Sequence, residues 1–171
     1  MSTTPTPDPS TKASAAGADE ALPPFDAAKA GKFFFRRGHP GWLGMRYHDH
    51  GEDWVQLELP WREDLIGDPR SNVLASGPII SLMDMASGMS IWQTTRVFTP
   101  VVTLDLRVDY QRPARERASV FGRVECYQTT RSAAFVRGVA HDGDRHDPVA
   151  HVAGVFMKVN FDPRQKGIAL A

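Results

Sequence analysis

Residues 77–94, GPIISLMDMASGMSIWQT, form an almost continuously apolar run. It is too long for an ordinary strand of about 5–6 residues. Pro78 falls near its first turn, where a missing N–H is tolerated. The pattern predicts a buried helix of roughly five turns. A helix that is apolar on most sides has to be enclosed rather than laid on a surface. The rest of the chain must supply that enclosure.

The other segments mostly have the period of strands. Trp54 to Leu59 alternates, with Val55, Leu57 and Leu59 on one face. Trp42 to Tyr47 precedes it across the polar turn HDHGED, which predicts a hairpin. Val101 to Tyr110 places Val102, Leu104, Leu106 and Val108 on one face, and Thr103, Asp105, Arg107 and Asp109 on the other. Ala118 to Gln128, Ala133 to His141 and Val149 to Asn160 complete the strands. Phe25 to Arg37 predicts a short amphipathic helix, with Phe33 to Phe35 tucked into a groove. Pro60 to Ser71 reads as a loop. The class is therefore α+β, with a curved six-stranded antiparallel sheet wrapped around one central helix. A single copy leaves a sheet edge and one side of the helix poorly covered. Pairing two copies edge to edge relieves both problems.

The 171 residues suffice for one domain with a real core, expected over residues 25–160. Residues 1–24 are rich in Thr, Pro, Ser and Ala and read as a flexible tail, as do residues 161–171. Twenty basic and 20 acidic residues cancel, which argues against nucleic acid or an anionic membrane as partner. The single cysteine, Cys126, cannot build a disulfide framework, so a reducing cytoplasm is the expected compartment. No secretory leader and no membrane span is legible.

Within the apolar helix, Gly77, Ser81, Asp84 and Gly88 are spaced by four, three and four residues and share one stripe. A carboxylate in such surroundings is costly unless it is satisfied, so Asp84 is the leading catalytic candidate, as general base or nucleophile. The start of the helix offers free N–H groups and a favourable dipole, which makes Ser76 and Gly77 candidates for an oxyanion hole. Pro78 donates nothing. Asp84 lies roughly 11 Å further along the axis at about 1.5 Å per residue. One reacting carbon cannot touch both from the same helix, so a working site must combine two subunits. Ser76 and Ser81 make poor nucleophiles, since no G-x-S-x-G elbow is present. His48 with His50, and His141, Asp144, His146 and Asp147, sit in hairpin turns where polar residues belong, so no metal site is expected. Cys126 and His151 read as structural, and the tryptophans as packing residues, with Trp92 a candidate to line an acyl pocket.

Two segments carry a family likeness: LASGPIISLMDMASG (74–88) and VTLDLRVDYQRPA (102–114). Both resemble the PaaI-type thioesterases, from the phenylacetic-acid-degradation branch of the hotdog superfamily. Leu82, Asp84 and Gly88 match the family's helix motif; Asp109, Tyr110, Pro113 and Ala114 match its strand motif. The likeness extends from about Gly41 to Lys158. It implies the hotdog fold, double-hotdog dimers or dimers of dimers, and hydrolysis of an acyl-CoA without metal or redox cofactor. It also implies that the Thr103 hydroxyl helps place the water or nucleophile. Asn72 is a candidate amide donor. Arg112, Arg115, Arg117 and Arg131 are candidates for the phosphates of coenzyme A, to which arginine is geometrically suited. One departure stands out: the family's His-Gly-Gly reads Ala75-Ser76-Gly77, so the imidazole is missing while the backbone N–H remains. That loss keeps a second reading open, a non-catalytic acyl-CoA-binding protein on the same scaffold. A hotdog hydratase fits less well, because no Asp-x-x-x-x-His dyad lies near the helix.

Overall fold

The computed structural model describes residues 24–159. The expected tails lie outside these residues, apart from Pro24. In chain order the elements are α1 (Ala27–Phe34), α2 (Gly38–Trp42), β1 (Arg46–His50), β2 (Trp54–Leu59), a 3-10 turn (Glu63–Leu65), β3 (Ile66–Asp68), β4 (Val73–Leu74), α3 (Ser76–Thr95), β5 (Val101–Tyr110), β6 (Val120–Thr129), β7 (Ala133–His141) and β8 (Ala150–Lys158). Six strands form one antiparallel sheet in the order β1-β2-β6-β7-β8-β5. The 20-residue α3 packs against it, as the hotdog fold requires.

The alternation of β2 explains the docking face. Val55, Leu57 and Leu59 are fully buried and meet Ile79, Leu82, Met83, Ala86 and Met89 of α3 in one core. Two glycines allow close approaches, one of helix to sheet and one between strands. A Cβ at Gly122 would lie 2.9 Å from Met83 Sδ and 3.0 Å from Leu82 Cγ, so β6 accepts the helix only with glycine there. A Cβ at Gly138 would lie 2.1 Å from the Arg123 carbonyl oxygen, against the neighbouring strand's backbone. Two buried serines of α3 are satisfied within the helix: the Ser87 hydroxyl donates to the Met83 carbonyl at 2.7 Å and the Ser90 hydroxyl to the Ser87 carbonyl at 2.8 Å.

Three expectations change. The helix expected over 25–37 ends at Phe34, and a second helix, α2, follows it, begun by Gly38 at a positive φ of 66°. Trp42 closes α2 instead of opening a strand, and Gly44 at φ 72° leads into β1. The expected loop over 60–71 contributes β3, which pairs with β4 as a small second sheet. Of the three phenylalanines, Phe33 is 76% exposed, whereas Phe34 stacks on Trp92 with centroids 5.5 Å apart. Phe25 and Phe98 also pack on Trp92, so this tryptophan anchors the N-terminal segment to the end of α3.

Candidate active site

The start of α3 is open. Its N-cap is Ala75, which has no side chain to cap the helix. The first N–H groups of a helix have no intrahelical acceptor, and here they belong to the exposed Ser76 and Gly77. A Cβ at Gly77 would meet nothing within 4 Å, so a ligand can approach this backbone. Cavities lie on both sides. One of about 390 Å³ is lined by Ser76, Ile79, Tyr110 and Arg112. The other, of about 420 Å³, is lined by His39, Trp42, Ala75, Gly77 and Ser81.

Side chains brace this helix start from two directions. The Tyr110 hydroxyl donates to the Ser76 carbonyl at 3.0 Å. On the other side, the Ser81 hydroxyl donates to the Gly77 carbonyl at 3.2 Å, and His39 Nε2 lies 3.1 Å from the same Ser81 oxygen. A serine hydroxyl has one proton to give. When it goes to the carbonyl, His39 Nε2 is the donor to Ser81. An imidazole, delivered by α2 and stacked on Trp42, thus lines the same cavity as Ala75. Sequence spacing could not reveal this, since 42 residues separate the pair. Tyr110 was visible only as part of a motif.

Asp84 is half-buried, and the Thr103 hydroxyl donates to its Oδ1 at 2.8 Å. Its Oδ2 has no hydrogen-bond partner among the described residues. The contact depends on an irregularity in β5. Thr103 faces Phe156 and Asp105 faces Val155, leaving Leu104 as an extra residue in a bulge. Strict alternation would set Thr103 opposite Leu106 and Val108. With the bulge, Thr103 turns toward α3, and Leu106 and Val108 still pack on the core. The expected division of β5 into an apolar and a polar face is corrected accordingly. Bulges of this kind re-aim side chains near functional sites.

Eight residues of helix, about 12 Å, separate Ser76 from Asp84. Within one chain the two halves stay apart. The remaining stripe residue, Gly88, is buried, and a Cβ there would make only ordinary contact with Val101 at 3.8 Å.

The arginines do not form one cluster. Arg112 holds the carboxylate of Asp142 with both Nη atoms at 2.8 Å and also donates to the Asp147 carbonyl. Arg115 adds its backbone N–H at 2.7 Å and its Nη2 at 3.2 Å. The Arg112 fork is thus engaged inside the protein and is not free for a phosphate; Arg115 is 63% exposed at its side chain. The Arg112 guanidinium, by its hydrogen bonds, holds Asp142 far below the usual carboxylate range, and Arg112 is raised in turn. Arg131 is exposed in the β6–β7 turn, beside the start of β5, at the opposite end of that strand from Arg112. Asn72 takes a left-handed φ of 52°, and its amide donates to Glu116 at 3.0 Å. Its carbonyl receives Trp61 Nε1 and the Arg117 N–H, so it anchors the loop before β4.

His48 and His50 are engaged by Gln56 and Tyr47. Among the described residues, no three metal-ligating side chains gather, and no helix is long and apolar enough to cross a membrane. Cys126 is buried, and burial pushes its thiol pKa up, away from nucleophilic use.

A six-stranded antiparallel sheet packed on a central helix is the hotdog architecture. The thioesterase-superfamily model matches residues 72–149, which include both halves of the candidate site, and this supports the hotdog thioesterase family for the chain. A Pseudomonas aeruginosa protein of known structure is 36% identical, with a TM-score of 0.71 over 78% of this chain and 100% of its own. A second structure, of a thioesterase-superfamily protein, is 26% identical over 78% of this chain and 98% of its own, with a TM-score of 0.69. A Haemophilus influenzae thioesterase shares the fold at 18% identity and a TM-score of 0.69, over 80% of this chain and 92% of its own. No protein with a curated description is significantly similar to the chain.

Proposed function

We propose that this protein is an acyl-CoA thioesterase of the PaaI type, cytoplasmic and working as a homodimer or dimer of dimers. The observation that carries the reading is the Asp84–Thr103 hydrogen bond, which fixes one carboxylate oxygen and leaves the other open. Strand β5 is an edge strand with Val102 48% and Leu104 60% exposed, the kind of edge that a partner covers. Along β5, Thr103 lies near the beginning and Tyr110 at the end. An antiparallel two-fold pairing of β5 with its copy sets the beginning of one strand against the end of the other. Asp84 of one subunit then faces Ser76 and Gly77 of the second, and the same pairing makes the site twice. Arg131 of one subunit comes toward Arg115 of the other, which suits the phosphates of coenzyme A.

The chemistry follows. The thioester carbonyl oxygen sits on the N–H groups of Ser76 and Gly77, where the helix dipole stabilises developing negative charge. Asp84 takes a proton from water as the water oxygen attacks the carbonyl carbon. The C–S bond breaks, and the thiolate of coenzyme A leaves with the proton returned by Asp84. The scheme calls on no metal or redox cofactor. Thiol release from an acyl-CoA panel tests it. Asp84→Asn is expected to lower turnover about a thousandfold, within the range of general-base catalysis. A wild type that binds acyl-CoAs and releases no thiol from any of them would establish the binding-protein reading instead.

A further inference from the structure

The carbonyl of Ser76 and the N–H of Gly77 belong to the same planar peptide unit. The Tyr110 hydroxyl donates to that carbonyl at 3.0 Å, in addition to any bond the carbonyl receives within the helix. We infer that Tyr110 is a positioning residue for the oxyanion hole, orienting and polarising the peptide whose N–H, at Gly77, faces the substrate. The inference rests on the thioesterase reading given above.

Three features support it. A donor on an amide oxygen draws electron density from the amide and strengthens its N–H as a donor, the cooperative effect seen in hydrogen-bond chains. Gly77 has the freest backbone of any residue type and begins a helix without a side-chain cap, so an external tether limits its motion. The phenol is itself suited to the task. Burial raises its pKa, so it remains a protonated donor. The ring also lines the cavity beside Ser76. Tyr110 is the last residue of β5, and Thr103 of the same strand holds Asp84. One strand therefore sets the geometry of the base and of the oxyanion donor, in different subunits of the dimer.

The experiment compares wild type, Tyr110→Phe and Asp84→Asn in steady-state hydrolysis of an acyl-CoA panel, together with the amide nitrogen and proton resonances of Gly77. Tyr110→Phe keeps the ring and removes only the hydroxyl. Loss of a direct oxyanion donor costs about 10²–10³ in kcat; an indirect brace should cost about tenfold in kcat with KM nearly constant. The Gly77 amide resonance should move upfield in the variant while the melting temperature is kept. An unmoved Gly77 resonance overturns the inference whatever the kinetics. So does a kcat within about twofold of wild type, or a loss of kcat that tracks a fall in melting temperature. A resonance moved in Tyr110→Phe, together with no Asp84-dependent hydrolysis by wild type, would sink the thioesterase reading and leave the polarised peptide standing.

Discussion

Asp142 and Asp84 lie in the same small domain and are held in opposite ways. Asp142 has no exposed side-chain surface and receives Arg112 on both oxygens, with the N–H and Nη2 of Arg115 added. Every lone pair that could meet a ligand is occupied by the protein. Asp84 has one partner, Thr103, on one oxygen. A buried carboxylate that is saturated with guanidinium contacts has little scope for chemistry, because its proton affinity has been driven far down. A half-open carboxylate held by one hydroxyl leaves an oxygen free of protein hydrogen bonds among the described residues. Complete satisfaction suits a structural joint, and an open oxygen is what the role proposed for Asp84 requires.

The comparison can be broken at either end. The largest effect on stability is expected at Asp142→Ala, which leaves Arg112 without its partner in a mostly buried setting. Removing one member of a buried ion pair costs about 3–5 kcal/mol, readable in urea denaturation. Asp84→Asn should by contrast leave the denaturation midpoint close to wild type while hydrolysis collapses. Thr103→Val should lower turnover about tenfold, or ~1.4 kcal/mol of barrier, with little change in stability. The smallest effects appear with pH. Asp142 has a depressed folded pKa, so its contribution is complete above the ordinary value of about 3.9 and is lost as pH falls through the folded value. His141 is also shifted down, first by burial; its Nδ1 accepts the Gly143 N–H at 3.3 Å, which fits the neutral ring. The unfolded chain binds that proton more readily, so stability should already decline below about pH 6.5. Unfolding titrations should lose the more acidic step in Asp142→Asn and keep the histidine step.

Much of this architecture was legible in the chain. The period of Trp54 to Leu59 and the all-round apolarity of 77–94 are local patterns, and the structure places β2 and α3 within a residue or two of them. Asp84 could be found because a lone carboxylate in an apolar helix is conspicuous. The bulge at Leu104 could not, since V-V-T-L-D-L-R-V-D-Y alternates without a flaw and only the partner strand reveals the extra residue. The Arg112–Asp142 joint spans 30 positions and His39–Ser81 spans 42, distances over which sequence alone gives no pairing signal. Arg112 could be read as a phosphate ligand because its carboxylate partner, Asp142, lies in another turn.

The single extra residue at Leu104 also divides β5 into two segments with independent phase. Val101 to Thr103 keeps time with the middle of α3, and Leu106 to Tyr110 with its beginning. An insertion or deletion at Leu104 is therefore a change of phase for one segment only. Such a change would rotate Thr103 away from Asp84 while Tyr110 stayed in place. The strand behaves as two short rulers joined end to end, and one can shift without resetting the other.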